Sequence, residues 1–84
     1  MKISKRSVNK TINLIDRHFT YDRREISDGS FSAMDYEAKK YVSFHPYAMG
    51  GYWFFYSNNT HQIYRVIRTY KDLNELKKLI KVLF

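Results

Sequence analysis

The longest apolar stretch of the chain, Gly50 to Tyr70, leaves little choice about local structure. Tyr52-Trp53-Phe54-Phe55-Tyr56 is followed by a polar Ser57-Asn58-Asn59-Thr60 break and then by Ile63-Tyr64-Arg65-Val66-Ile67-Arg68-Thr69-Tyr70. Aromatic and β-branched residues fit a pleated, half-buried surface, and an Asn-Asn centre tolerates the positive φ of a tight turn. The pattern therefore predicts a β-hairpin. With Asn58 and Asn59 as its loop, Phe54 stands opposite Ile63 and Trp53 opposite Tyr64, which sorts the side chains into two sets. Tyr52, Phe54, Ile63, Arg65 and Ile67 share one face; Trp53, Phe55, Tyr64, Val66, Arg68 and Tyr70 share the other. An even number of loop residues keeps this sorting, and an odd number regroups it.

The rest of the chain can be placed around the hairpin. Val8, Ile12, Ile15 and Phe19, widened by Leu14, form one helical stripe, with Ser7 as the expected cap of a helix running to about Phe19. Its other side carries Lys5, Arg6, Lys10, Asn13 and Arg17. Thr20 to Gly29 is polar, ends on an Asp28-Gly29 turn and is expected to be a linker. Ser30 to Pro46 is ambiguous, because Phe31, Ala33, Val42 and Phe44 alternate as strands do while Met34, Ala38 and Tyr41 suit a helix. Two strands are the preferred reading, since Tyr41-Val42-Ser43-Phe44 is β-favouring and stops before Pro46, with Ala38-Lys39-Lys40 as the turn into it. A helix over Ser32 to Val42 is the alternative. Tyr47 to Gly51 is a glycine-containing loop. Beyond the hairpin, Asp72 with Glu75 reads as a capping box opening a helix of about eleven residues striped by Leu73, Leu76, Ile80 and Leu83.

The expected fold is a single small α+β domain spanning residues 1–84, an antiparallel sheet of three to four strands with an N-terminal and a C-terminal helix packed on one face. Phe54, Ile63 and Ile67 match the aliphatic stripes of the helices, so Trp53, Tyr64 and Arg68 are expected on the open side. At 84 residues such a domain buries only about 60 to 65% of its unfolded surface, and each large ring matters to its stability.

Fifteen Lys and Arg against eight Asp and Glu give a net charge of +7, an excess that favours nucleic acid or an acidic protein surface as partner. There is no cysteine, hence no disulfide framework and no thiolate metal site, which fits a reducing compartment; the cytoplasm is the expected location. Met1-Lys2-Ile3-Ser4-Lys5-Arg6 leads into a polar amphipathic segment, and no stretch is long and apolar enough for a membrane span. His18, His45 and His61 are scattered without metal-ligand spacing, and the loose combinations of His45 or His61 with Glu37 or Tyr64 do not make a nucleophile with an oriented base. No phosphate loop or serine-hydrolase elbow occurs. No cofactor, metal or catalytic residue is therefore expected.

Aromatic rings interleaved with positive charge suit bases that stack on the rings while cations follow the phosphates. Tyr, Trp and Arg are also favoured anchors of protein interfaces. The expected binding residues, for DNA or RNA or for a protein of a nucleic-acid-processing machine, are Lys5, Arg6, Lys10, Arg17, Trp53, Phe55, Tyr64, Arg68 and Tyr70, with a homodimer through the aromatic face also open. The basic hairpin over Gly51 to Thr69 is similar in layout to the small ribosome-dependent ribonucleases of the RelE toxin family, although the chain lacks that family's two-helix N-terminal hairpin. That likeness implies growth arrest through Arg65, Arg68 or His61. In size and in its Lys, Asn, Ile and Tyr content the chain also resembles accessory proteins of bacteriophages and mobile elements, anti-CRISPR inhibitors among them, which implies binding to a host or defence protein.

Overall fold

A computed structural model describes residues 2–84; Met1, the first residue of the N-terminal stretch, lies outside the described residues. The elements in chain order are α1 (Lys5–His18), β1 (Arg23–Ser27), β2 (Ser30–Asp35), β3 (Lys40–Pro46), β4 (Tyr52–Ser57), β5 (Gln62–Ile67) and α2 (Tyr70–Leu83). The strands form one five-stranded sheet in the order β1-β2-β3-β4-β5, every neighbouring pair antiparallel. Both helices lie against one face of it, as expected for an α+β domain. Among the described residues no helix is long and apolar enough to cross a membrane.

The strand beyond the expected three to four is β1, in the segment read from sequence as a linker. All five of its residues are exposed, so it has no buried side to produce an alternating pattern. What holds it is the Asp28-Gly29 turn, with Gly29 at φ 78° and Ser27 paired to Ser30, together with two ion pairs to α1. Lys5 Nζ meets Asp28 at 2.6 Å and Arg24 meets Asp16 at 2.9 Å. The helix alternative for Ser32 to Val42 does not occur; β2 and β3 occupy that stretch, turning through Tyr36 to Lys39, with Lys39 at φ 55°.

Side-chain parity builds the core. Phe31, Ala33, Val42, Phe44, Phe54, Tyr56 and Ile67 point from the sheet into a cluster with Val8, Ile12, Ile15 and Phe19 of the first helical segment and Leu73, Leu76 and Ile80 of α2, all at most 4% exposed. Both predicted helical stripes are thus buried, with Leu14 and Leu83 half-buried against them. Phe84 closes the seam between the helices, its ring 5.2 Å from Phe19 and 5.3 Å from Tyr56.

Both helix starts differ from expectation. The cap of α1 is Ser4, whose side chain accepts from the Ser7 backbone N–H, so Ser7 lies inside the first turn. The cap of α2 is Thr69, and Asp72 is the N3 member of the box: Thr69 Oγ1 accepts from Asp72 N at 3.1 Å while Asp72 Oδ2 accepts from the N–H groups of Arg68 and Thr69 at 3.0 and 3.1 Å. The helix consequently has 14 residues rather than eleven. The Arg68 backbone donor is the main cause holding the Asp72 carboxyl below its ordinary range. Thr69→Ala should lower stability by about 1 kcal/mol, read as a reduced urea midpoint, and Glu75→Ala, which removes no cap, should leave the midpoint nearly unchanged.

The hairpin register is shifted by two residues from the expected one. Asn58 to His61 form the loop, closed by Asn58 N–H donating to His61 O at 3.1 Å, and Phe54 pairs with Arg65 while Tyr56 pairs with Ile63. Asn58 Oδ1 accepts from the backbone N–H groups of Thr60 and His61 at 2.8 and 3.0 Å, which organises the longer loop. Four loop residues in place of two preserve parity, so the two faces keep the membership expected of them within the strands. Ile63, now nearer the strand end, is half-buried rather than fully enclosed. The strand stops at Ile67, which takes Arg68 and Tyr70 out of the sheet.

Candidate functional site

On the side away from the helices, β3 presents Tyr41, Ser43 and His45, β4 presents Trp53 and Phe55, and β5 presents Tyr64 and Val66, with Ser32 and Met34 of β2 beside them. The register sets these residues across from one another: Met34 with Tyr41, Ser43 with Phe55, His45 with Trp53, and Phe55 with Tyr64. Their rings fall into two groups, Tyr41 with Phe55 and His45 with Trp53 and Tyr64. Tyr41 and Phe55 are 6.0 Å apart, His45 and Trp53 5.1 Å, and Trp53 and Tyr64 are stacked at 6.2 Å with 20° between planes. These separations lie in the range of favourable aromatic pairs. Tyr64 remains 51% exposed, and the other rings are half-buried.

Ser43 lies among these rings. It is 0% exposed although it sits on the open side of the sheet, and its Oγ has no hydrogen-bond partner among the described residues. A side chain this small lets the flanking rings lean over it, at the cost of a hydroxyl cut off from water. Burial also pushes the His45 imidazole below its ordinary pKa, which favours the neutral ring at pH 7. From β2 to β5 the open face carries no Lys, Arg, Asp or Glu; its charges are confined to Arg23 and Glu25 on β1, which face each other at 3.5 Å.

The expected site residues therefore fall into separate places. Trp53, Phe55 and Tyr64 come together on this face. Lys5, Arg6, Lys10 and Arg17 project from α1 on the opposite layer, and Lys5 is engaged by Asp28. Arg68 sits past the end of β5, its Nε donating to the Gly50 carbonyl at 3.4 Å and its guanidinium 5.7 Å from the Tyr47 ring. Tyr70 is the first residue of α2, packs on the core, and accepts a hydrogen bond from the Ser4 N–H at 3.0 Å; it takes no part in the aromatic face. Tyr41, Ser43 and His45 were missed. Their signal was available in the alternation of β3: once Val42 and Phe44 are assigned to the core, their odd-numbered neighbours must face the other way.

The remaining histidines do not converge on this face or on each other. His18 Nδ1 lies 2.9 Å from the Leu14 carbonyl, and His61 Nδ1 lies 3.0 Å from Thr60 Oγ1. Among the described residues no group of three His, Cys, Asp or Glu side chains is placed to hold a metal ion. Comparison with protein-family models, with curated proteins and with solved structures finds no match to this chain, so the chemistry of the aromatic face is what any functional reading must start from.

Proposed function

We propose that the protein is a small binding module that docks through its aromatic sheet face onto another protein, a component of a nucleic-acid-processing machine, with its basic helix layer turned toward the nucleic acid. The observation supporting this reading is the separation of rings from charges. Base stacking on Trp53, Phe55 and Tyr64 would require cations beside the rings to follow the phosphates, whereas the face from β2 to β5 has none. An aromatic centre depleted in charge is the composition of a protein-interface core. The cations gather on the other layer, with Arg6, Lys10 and Arg17 on α1 and Lys71, Lys77, Lys78 and Lys81 on α2, and these supply the long-range attraction expected of a +7 chain.

An inhibitor of the kind carried by phages is a narrower form of the same proposal, with the docked protein being a defence or host enzyme. A ribonuclease reading has less support. His61 and Arg68 flank β5 at opposite ends, about 23 Å apart at ~3.3 Å per residue, and Arg65 donates to the neighbouring Tyr64 carbonyl.

The test combines capture from a nuclease-treated bacterial lysate with oligonucleotide anisotropy at two salt concentrations. A protein retained by the wild type should be lost with Trp53→Ala/Tyr64→Ala. Oligonucleotide binding should weaken steeply with salt, by about 0.7–0.9 log units per phosphate contact per tenfold change, and should fall with Lys10→Ala/Arg17→Ala while surviving Trp53→Ala. Loss of oligonucleotide binding in Trp53→Ala would instead establish the rings as a stacking surface, and absence of any binding near 50 mM salt would remove nucleic acid from the proposal.

A further inference from the structure

The two edges of the sheet are built differently. β1 places Arg23, Arg24 and Glu25 in succession, and charged side chains are a common guard against further pairing. β5 reads Gln62-Ile63-Tyr64-Arg65-Val66-Ile67, with a single charge. The Asn58–His61 hydrogen bond and the β4–β5 register determine which backbone groups face outward, because antiparallel pairs alternate between bonded and non-bonded. Ile63, Arg65 and Ile67 bond to β4, which leaves the N–H and C=O groups of Gln62, Tyr64 and Val66 on the outer edge. In agreement, the Tyr64 carbonyl accepts a hydrogen bond from the Arg65 guanidinium at 2.9 Å.

Beside this edge runs a groove of about 390 Å³ between β5 and α2, lined among others by Val66, Leu79 and Val82. Val82 is 83% exposed, an apolar side chain on a helix flank left largely open to water. The charges on the groove side of α2 are polarised along its length, with Asp72 and Glu75 in the first half and Lys78 in the second.

We propose that a second copy of this chain adds to the β5 edge, antiparallel, to form a continuous ten-stranded sheet. The outward-facing groups set its register: Tyr64 pairs with Tyr64 of the second copy and Gln62 with Val66. The two-fold axis that relates the strands also sets α2 antiparallel to α2 of the second copy, which brings the acidic half of each helix to the basic half of the other. This charge match selects a like copy over an unrelated extended peptide. Arg65 must release the Tyr64 carbonyl, so the guanidinium acts as a removable guard on the edge. The joined sheet would set the two aromatic faces side by side as one surface. The inference concerns an edge and a groove, and it stands whether or not the aromatic face docks a protein.

Sedimentation equilibrium from about 5 to 500 µM in 150 mM salt tests it. A mass rising toward twice that of the chain is expected. Val82→Lys, at an exposed helix position that folding does not require, should weaken association at least tenfold with an unchanged circular dichroism spectrum. Val66→Pro, which removes an outward donor and no β4–β5 bond, should do the same. Glu75→Lys and Lys78→Glu should each weaken association, and the double exchange should restore it. A monomer at every concentration overturns the proposal, as does a dimer that resists Val82→Lys but dissociates with Trp53→Ala, which would place the contact on the aromatic face.

Discussion

Phe54→Ala should remove about 3–5 kcal/mol of stability, the usual range for truncating a fully enclosed Phe, and leave the domain largely unfolded at modest urea concentrations. Phe54 is 0% exposed in the central part of the sheet, paired with Phe44, which is equally enclosed. A domain of this length holds about 4–13 kcal/mol in all, at ~0.05–0.15 per residue, so this one cavity uses a large share of the total. Tyr64→Ala, on the opposite face and half exposed, should cost about 1 kcal/mol or less. Ile63→Ala should fall between them, because the two-residue shift leaves Ile63 only partly covered. Urea unfolding followed by Trp53 fluorescence measures all three. A tolerant Phe54→Ala beside an unfolded Tyr64→Ala would reverse the assignment of the faces.

Gly51→Ala should be at least as damaging, for a different reason. Gly51 has φ 75°, and a methyl group there would run into the Ile67 carbonyl oxygen and stand 3.1 Å from its carbon. Those atoms are backbone, so they cannot rotate away; the end of β5 would have to move, and with it the Arg68 and Thr69 N–H groups that Asp72 clasps. Gly50, at φ 100° with open space around it, provides the control: Gly50→Ala carries only the left-handed strain of roughly 1–2 kcal/mol. Denaturation midpoints of the two variants should differ clearly, and equal shifts would mean that the close approach at Gly51 does not exist.

How much of this was legible in sequence follows from where each residue stands relative to water. The stripes Val8-Ile12-Ile15-Phe19 and Leu73-Leu76-Ile80 are apolar on one side only, and that asymmetry locates both helices and their buried faces. Within the strands the hairpin sorts its side chains correctly despite a misplaced register, because parity is insensitive to a shift of two; Arg68 and Tyr70, expected on the same face as Trp53, lie beyond the strand end. β1 was invisible because Arg23, Arg24, Glu25, Ile26 and Ser27 are exposed on both sides, and what orders them is a turn and contacts with residues far away in sequence. The α2 start was misplaced because both Thr69 and Asp72 are good caps, and only the geometry shows Thr69 outside the helix. For the candidate site, Trp53, Phe55 and Tyr64 were identifiable from composition and alternation. That the cations lie on the other layer was not, since it depends on which way the helices turn once they are packed.

The strand order has a kinetic meaning. Each strand pairs with the one just before it through a connection of a few residues, so every step of sheet assembly closes a short loop at small entropic cost. Low sequence separation of this kind goes with fast folding. The contact between the two helices is the exception: Phe19 meets Phe84 and Ser4 meets Tyr70 across nearly the whole chain. A meander can therefore assemble early while its apolar underside still awaits the two end segments. The interval before that seam closes is when the chain is most exposed to association with its neighbours.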